Sequence, residues 1–445
     1  MTGKSPLKNI LKTSLPAVID LSASTFMWTF ESILIGRISS AAFGGHGMAV
    51  QIIVVVLTLL LTFIVGSSII INRYIGANDN VEANHILSQA LILGFGMASL
   101  IAFMWYFGAA AIFGLIRDGG SGARESGISY LRTVSFFAPL ILTNFVALGI
   151  IRGAGDTRAA MCINLSVVAL NFILAPILIF GLMGAPRLEV RGAALAMGIS
   201  HSLGSFATFY FLRSKKLSLF LSLRELTTPN LRTFKRLFRA GIPTTVEQMV
   251  WAVGQLIVSG FAAVLGVKFL ATHQALLRIQ SILSMLYLGF SLGAMTLVGK
   301  DIGADDRQAA LKTAFAANRI VFFFAFFVFV LLTIFSRPLI SIFTDDPEVL
   351  AIGGRIMIVF ALVQVPKALD GVLIGNLRAV GDLKWLMIVT FVSVLILEMG
   401  VNWVLVFGLD FSLMTLWVVH LVDEFLRSAT NFWRFKHGKW KVNHF

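Results

Sequence analysis

Long apolar segments, separated by short polar stretches, follow one another along the whole of this sequence. Each is long enough to cross a bilayer as a helix, which takes about 20 apolar residues. The segments lack the short alternation of polar and apolar positions that marks a membrane β-strand. The pattern predicts an all-α membrane protein with twelve transmembrane helices, at residues 10–36, 48–72, 86–116, 126–151, 160–183, 192–212, 241–266, 271–299, 311–336, 349–377, 384–408 and 412–435.

The composition agrees with a lipid environment. Of the 445 residues, 57% are hydrophobic and 13% are charged, whereas about a quarter of a soluble domain is charged. The net charge of +14 would suggest nucleic-acid binding in a soluble protein. Here the basic residues stand mainly between the apolar segments, so they indicate topology, and we expect no nucleic-acid partner. The single cysteine excludes an internal disulfide and a cysteine-based metal cluster.

The distribution of Lys and Arg predicts the orientation in the membrane. With the N-terminus inside, 23 basic residues fall on the cytoplasmic side and eight on the outer side. Basic residues accumulate in cytoplasmic loops, so both termini are expected in the cytoplasm, as in a multi-pass protein of a bacterial-type cell membrane. The most basic connection, 213–240, lies either as an amphipathic strip on the anionic inner leaflet or as a solvated loop.

The sequence also repeats itself at a step of about 227 residues. Each copy holds six segments, an even number, so both copies enter the membrane in the same orientation. Such parallel repeats occur in transporters. We therefore expect an N-terminal half at 1–212, a linker at 213–240 and a C-terminal half at 241–445. The matched landmarks are Pro16 with Pro243, His46 with His273, Ile75–Asp79 with Ile302–Asp306, Arg152–Asp156 with Arg378–Asp382, and Phe180–Gly181 with Phe407–Gly408.

Three of these landmarks resemble motifs of the MATE family, the multidrug and toxic compound extrusion transporters. They are the start of the first span at Leu15–Asp20, the end of the second at Ile75–Asp79, and the turn Arg152–Thr157 after the fourth. The resemblance implies two lobes that form a V around a central cavity. It also implies a cofactor-free antiporter that exports amphipathic organic cations by alternating access, driven by H+ or Na+.

The acidic residues resemble those of NorM-type members more than those of DinF-type members. DinF-type members place an Asp in the fifth span and a Thr in the sixth, where this chain has Ala175 and Met197. An oxygen-rich Na+ site is therefore not expected in the first half, and Glu31 would act there as a protonatable group.

Two helical faces gather polar residues inside the predicted spans. Asp20, Ser24, Met27 and Glu31 share one face of the first span, which we expect to point to a cavity or to the interior of the first half. In the seventh span a carboxylate, an indole and an amide share a face and suit an organic cation, because an indole ring attracts positive charge. These are Glu247, Trp251 and Gln255.

Carboxylates inside the membrane are costly unless they are paired or hydrated, so each suggests a function. We expect cation coupling mainly in the second half, on Glu247, Asp370 and Glu398, with Glu31 as a secondary group. The resemblance to NorM-type members supports Glu247 and Asp370, and two weaker candidates are Asp20 and Asn402.

Local neutralisation offers a different explanation for several of these charges. Lys367 stands three residues before Asp370 and could pair with it. We expect Arg427 to neutralise Asp423 and Glu424, which would keep both acids outside the site. Arg152 and Asp156, four residues apart, are expected to pair, and Gly153 and Gly155 between them to permit a tight turn.

Drug contacts are expected on Met and aromatic side chains, which repack around varied ligands. Packing in the core or against lipid is the alternative for each of them. The candidates are the Met and aromatic residues Met27, Trp28, Phe63, Trp251 and Tyr287, together with the amides Gln255 and Gln364.

Two other functions remain open from the sequence. A flippase for lipid-linked oligosaccharides would share the architecture but would need a cationic cavity, whereas the charges here within spans are mainly acidic. A membrane-embedded enzyme would need a clustered Asp-rich or His/Glu motif, which the sequence lacks. We expect a monomer with no metal beyond a transported Na+.

Overall fold

The computed structural model describes residues 6–114, 122–343, 346–408 and 412–438. Twelve long helical segments follow one another in this part of the chain, which confirms the twelve predicted spans. The last two residues of the predicted third span, 115–116, lie outside the described residues. The helices are α1 Pro6–Gly36, α2 Ser40–Gly76, α3 Asn80–Gly114, α4 Ala123–Gly153, α5 Thr157–Phe180, α6 Glu189–Arg213, α7 Leu231–Leu265, α8 Val267–Gly303, α9 Arg307–Ile334, the short α10 Ser336–Ser341, α11 Pro347–Ala379, α12 Leu383–Ser393, α13 Asn402–Gly408 and α14 Leu413–His437.

The eleventh span combines two helices with a wider segment between them. α12 runs into the π-helical residues Val394–Val401, which continue into α13. A π-helical turn holds one extra residue and is frequently found at functional sites. This one carries the buried Glu398.

Ten of the long segments are apolar enough by composition to span a membrane. The other two described segments of this length are α6 and α14. Helix α14 is less apolar because it carries three charged residues, Asp423, Glu424 and Arg427, in its middle, and all three are buried.

The described residues form two compact units whose borders fall inside α1 and α7. The N-terminal unit is Ile19–Gly241, and the C-terminal unit combines Met1–Val18 with Ile242–Phe445. The first turns of α1 thus belong to the C-terminal unit, and the first turns of α7 belong to the N-terminal unit. Small residues permit this exchange of helix starts, because they let helix backbones approach closely. In the C-terminal unit, a Cβ on Gly293 would lie 2.0 Å from Ser14 Oγ. In the N-terminal unit, a Cβ on Gly241 would lie 2.2 Å from the Thr62 carbonyl oxygen.

The basic linker packs onto protein. Its last ten residues form the first turns of α7, which begins at Leu231. Leu219, Leu221 and Leu237 are buried in the core of the N-terminal unit. The backbone N–H of Phe220 donates to Asn84 Oδ1 of α3 at 2.7 Å. Part of the linker is thus anchored to protein, whereas Leu223 and Leu231 remain exposed. An amphipathic strip on the inner leaflet stays a prediction.

The sequence repeat is reproduced in the backbone. The turn after α2 has Asn78 at φ 59°, and the turn after α8 has Asp305 at φ 56°, at a step of 227 residues. The turns after α4 and α11 likewise place Gly155 at φ 97° and Gly381 at φ 78°. Non-glycine residues rarely adopt such angles, and Asn and Asp tolerate them best. The two copies thus share unusual turns as well as helices.

Candidate functional site

An ion pair recurs at the repeated turn. Nη1 of Arg152 lies 3.1 Å from Oδ2 of Asp20, and Nη2 of Arg378 lies 2.9 Å from Oε1 of Glu247. Asn164 Nδ2 also donates to Asp20 Oδ1 at 2.6 Å. All four charged side chains are buried. Asp20 and Glu247, two of the predicted coupling residues, are thus each held by an arginine of their own unit.

The predicted pair between Arg152 and Asp156 is wrong. Asp156 instead accepts hydrogen bonds from the backbone N–H and the hydroxyl of Ser218, the first at 2.7 Å. Helix α4 ends at Gly153 and Gly155 turns the chain at positive φ, so the spacing of four residues no longer brings the side chains together. Of the two glycines between them, only Gly155 uses its conformational freedom. A Cβ on Gly153 would lie 2.0 Å from Ser68 Oγ, so close packing requires that glycine.

Glu31 lies deep in the N-terminal unit, with 1% of its surface exposed. The Tyr130 hydroxyl donates to Glu31 Oε1 at 2.9 Å and lies 3.4 Å from Met197 Sδ. The edge of the His46 ring packs against Tyr130, with centroids 4.8 Å apart. Among the described residues, no Lys, Arg or His forms an ion pair with Glu31. Its face of α1 points into the unit, as predicted, since Asp20 and Met27 are also buried.

Four charges of α11 and α14 join in the C-terminal unit. Lys367 Nζ lies 2.6 Å from Glu424 Oε1. Arg427 Nη2 lies 2.8 Å from Glu424 Oε2 and 3.4 Å from Asp370 Oδ2. Asn431 Nδ2 donates to Asp370 Oδ1 at 2.8 Å. The suggested pair of Lys367 with Asp370 is wrong, because Lys367 reaches α14 instead and α14 supplies the partners of Asp370.

The cluster continues to the π-helical segment. His420 Nδ1 lies 2.5 Å from Glu398 Oε1, and its Nε2 lies 3.7 Å from Glu424 Oε1. Asp423 accepts a hydrogen bond from the Ser393 hydroxyl. Asn402 Nδ2 donates to the backbone carbonyl of Glu398 at 2.9 Å.

We call this group the buried charge cluster. It comprises Lys367, Asp370, Glu398, His420, Asp423, Glu424 and Arg427. Arg427 pairs with Asp423 and Glu424 as predicted, but the same guanidinium also contacts Asp370, so these two acids belong to the cluster around a predicted coupling residue. Four carboxylates face two permanent cations in the cluster, which leaves two negative charges to be balanced when His420 is neutral.

Sequence reasoning missed His420, Asn431 and Tyr130 as partners of the predicted acids. One signal was available, since His420, Asp423, Glu424 and Arg427 are spaced to lie on one face of a helix. The repeat holds a second signal, because Thr208 donates to Asn144 at 2.7 Å where Asn431 donates to Asp370. In this correspondence α6 matches α14 at a step of 223 residues rather than 227. Sequence similarity alone does not reveal this shift.

The predicted drug contacts fall into two groups. Trp28, Trp251 and Gln255 are half-buried, whereas Met27, Phe63, Tyr287 and Gln364 are buried within their units. Phe63 packs against Phe238, and the Gln364 amide donates to the Phe360 carbonyl at 3.0 Å. The Trp251 ring lies beneath Lys367, whose Nζ is 5.7 Å from the ring centroid. A cavity of about 160 Å³ in the C-terminal unit brings Glu247, Tyr287, Lys367, Asp370 and Arg427 together.

A membrane protein with twelve long helices, two parallel repeats and buried charges in each unit has the architecture of a secondary transporter. Comparison with known families agrees, since the MatE family model matches residues 16–177 and 243–404. The chain belongs to the MatE family and is a multi-pass membrane transporter. The prediction of a transporter rather than a membrane-embedded enzyme is thereby confirmed.

Named relatives cover almost the whole chain. It is 26% identical over 435 residues to the probable multidrug resistance protein NorM of Thermotoga maritima, covering 98% of this chain and 93% of the relative. It is 24% identical over 427 residues to the uncharacterized transporter YisQ of Bacillus subtilis, covering 96% and 93%. Among solved structures, a MOP superfamily transporter from Pyrococcus furiosus matches with a TM-score of 0.89 at 21% identity, covering 99% and 98% of the two chains. That last likeness bears on the fold alone.

Proposed function

We propose that this transporter is a cation-coupled antiporter that exports small organic cations by alternating access. The family and the similarity to proteins named as multidrug resistance transporters support export of small organic molecules. The observation that carries the coupling proposal is Glu31, a buried carboxylate with Tyr130 as its hydrogen-bond donor and no counter-charge among the described residues.

A carboxylate in that setting needs a cation. An isolated charge in a low-dielectric interior costs several kcal/mol, so Glu31 is favoured when it holds a proton or a bound cation. The neighbouring Met197 offers a sulfur where Na+ prefers oxygen, and the cavity beside Glu31 is otherwise lined by Trp28, His46, Val50 and Ile53, whose side chains carry no oxygen. These surroundings support H+ as the coupling ion at Glu31.

The second half contributes through Asp370 and Trp251. Lys367 covers the Trp251 ring and also pairs with Glu424. An organic cation that stacks on Trp251 therefore takes the place of the chain's own ammonium group and competes for the negative charge near Asp370. Competition of this kind is reciprocal: the drug weakens binding of the coupling cation by the same factor that the coupling cation weakens binding of the drug.

Efflux from proteoliposomes tests the proposal. Purified protein is reconstituted with a fluorescent organic cation, and H+ and Na+ gradients are imposed in separate experiments. We expect an H+ gradient to drive efflux in the wild type, and Glu31→Gln to abolish it. Glu125→Gln, an exposed acid on α4, serves as the matched control and should behave as wild type.

Each contrary result addresses a different part of the proposal. Absence of dye efflux under both gradients would overturn organic-cation antiport. Efflux that follows only the Na+ gradient would overturn the assignment of H+. Normal H+-driven efflux by Glu31→Gln would remove Glu31 as the coupling group and leave Asp370 as the leading candidate.

A further inference from the structure

A second cavity in the C-terminal unit corresponds to the one beside Glu31. The Glu31 cavity is lined by Trp28, Glu31, His46 and Met197, among others. The first three correspond to Gln255, Val258 and His273 at a step of 227 residues, and Met197 corresponds to His420 at a step of 223. All four of these counterparts line the second cavity. Glu398 also lines it, at the position where the first half has Asn171. The acid of the second cavity thus comes from the π-helical segment, and an imidazole replaces the Met197 thioether.

Two side chains that line this cavity, Glu398 and His420, and the neighbouring Asp423 bring metal-binding atoms together. Glu398, His420 and Asp423 each offer one such atom, and the three atoms lie within 4.8 Å of one another. All three residues are buried. One imidazole and two carboxylates form a donor set that suits Zn2+ and its first-row neighbours, whereas Ca2+ and Mg2+ prefer oxygen alone.

Unsatisfied polar atoms point to a missing ligand. His273 is 2% exposed, lines the cavity, and has a hydrogen-bond partner on neither ring nitrogen among the described residues. Glu398 Oε2 and His420 Nε2 likewise have no hydrogen-bond partner there. Buried polar groups are nearly always hydrogen-bonded, so three such side chains around one cavity call for an explanation.

The charges of the cluster give the valence of that ligand. Lys367 pairs with Glu424, and Arg427 is shared by Asp370, Asp423 and Glu424. Two cations therefore face four carboxylates, and the cluster as a whole carries two more negative than positive charges beside a neutral His420. A divalent cation would neutralise this excess.

We propose that Glu398, Asp423 and His420 form a binding site for a divalent first-row transition-metal ion, with His273 across the cavity as a further imidazole donor. The π-helical turn places Glu398 opposite α14, within reach of His420. The site goes beyond the proposed antiport, because metal binding requires neither transport nor the Glu31 carboxylate. Protein ligands bind such metals in their deprotonated forms, so metal binding generally releases protons.

Calorimetry with Zn2+ as the probe tests the site. Tag-free, chelator-treated wild-type protein in detergent is titrated in two buffers of different ionisation enthalpy, which also counts the protons released. We expect one Zn2+ per chain with proton release, and a dissociation constant at least about tenfold weaker in Glu398→Gln and in His420→Gln. His85→Gln is the matched control, because His85 contacts Glu225 at 2.7 Å in a partly exposed pair with no third ligand, and it should bind Zn2+ as wild type does.

Two results would overturn the proposal. One is wild-type affinity for Zn2+ in the double variant Glu398→Gln/His420→Gln, and the other is no Zn2+ binding by the wild type. If a variant fails to fold, the Co2+ complex of the wild type still decides. A nitrogen and carboxylate site of low coordination number gives strong visible absorption, whereas the weak spectrum of hydrated Co2+ would contradict the assignment. Neither the calorimetry nor the Co2+ spectrum depends on transport, so failure of this proposal can be distinguished from failure of the antiport proposal.

Discussion

Asp20 of α1 accepts a hydrogen bond from Arg152 at the end of α4, at 3.1 Å inside the N-terminal unit. Glu247 and Arg378 form the same contact between α7 and α11 in the C-terminal unit. Each arginine stands just before a turn whose glycine has positive φ, at Gly155 or Gly381. The motif around the repeated turn thus presents an arginine to the helix that opens each repeat.

Replacing Arg152 by Met should destabilise the protein, because Asp20 would remain buried without its counter-charge. Removal of one partner of a buried pair costs about 3–5 kcal/mol. Thermal unfolding in detergent measures the loss, with the exposed Arg158→Met as control. Equal stability of the two variants would show that the pair contributes nothing. Adding Asp20→Asn to Arg152→Met should recover part of the loss, since the unpaired charge disappears.

Replacing Lys367 by Met should strengthen the binding of organic cations. The variant uncovers the Trp251 ring and frees Glu424 from one of its two cations. A cation–π contact contributes about 0.5–2 kcal/mol, so we expect dye affinity to rise about twofold to thirtyfold. Quenching of tryptophan fluorescence by the dye reports the affinity. The exposed Lys384→Met should leave it unchanged, and an unchanged affinity in Lys367→Met would exclude Trp251 as a cation site.

Removing the Trp251 ring should change selectivity more than total transport. We expect Trp251→Ala to alter the ratio of efflux rates for two cationic dyes of different shape, because the indole contacts them unequally. Trp403→Ala removes an exposed indole that is 59% accessible and should preserve the ratio. An equal loss for every dye in Trp251→Ala would indicate a folding defect rather than a binding role.

Neutralising Asp370 should uncouple transport from the cation gradient. Asp370→Asn removes a carboxylate from the buried charge cluster while keeping a group that can contact Asn431. Gradient-driven efflux should fall at least about tenfold, a loss of about 1.4 kcal/mol or more, while the protein still elutes as a folded species in detergent. Asp79→Asn is the control, because Asn caps the start of α3 as well as Asp does. Normal gradient dependence in Asp370→Asn would exclude this residue from coupling.

A larger residue at Gly293 should disturb the docking of α1 onto α8. A Cβ there would lie 2.0 Å from Ser14 Oγ and 3.2 Å from its Cα. Such overpacking costs about 1–3 kcal/mol, so Gly293→Ala should lower the unfolding temperature. Gly260→Ala meets nothing within 4 Å and should not lower it. Combining Gly293→Ala with Ser14→Gly should restore stability, and failure to do so would place the strain elsewhere.

The spans, the repeat and the inward face of α1 followed from the sequence, because apolar length and helical spacing are local properties. The ionic partners did not follow, since they depend on which helices pack together. Arg152 has Asp156 four residues away but pairs with Asp20, 132 residues distant. Lys367 has Asp370 on its own helix but reaches Glu424 on α14. The shared cluster of Asp370 with Glu398 therefore became visible only in three dimensions.

The exchange of helix starts between the two units has a consequence for biosynthesis. Residues 19–241 leave the ribosome as one uninterrupted run, so the N-terminal unit has all its parts about halfway through translation. The opening turns of α1, which include Ser14, belong with α8, whose Gly293 is made much later. At 5–20 residues per second the wait is on the order of tens of seconds.

During that interval the start of α1 lies in the membrane without its packing partner. Its side of closest approach carries the Ser14 hydroxyl, which finds its tight fit against glycine only after α8 is inserted. A nascent chain that stops after residue 241 therefore contains all of the N-terminal unit, together with the first turns of α1, whose packing partner α8 is absent. Such a fragment is a natural target for the proteases and chaperones that survey newly inserted membrane proteins.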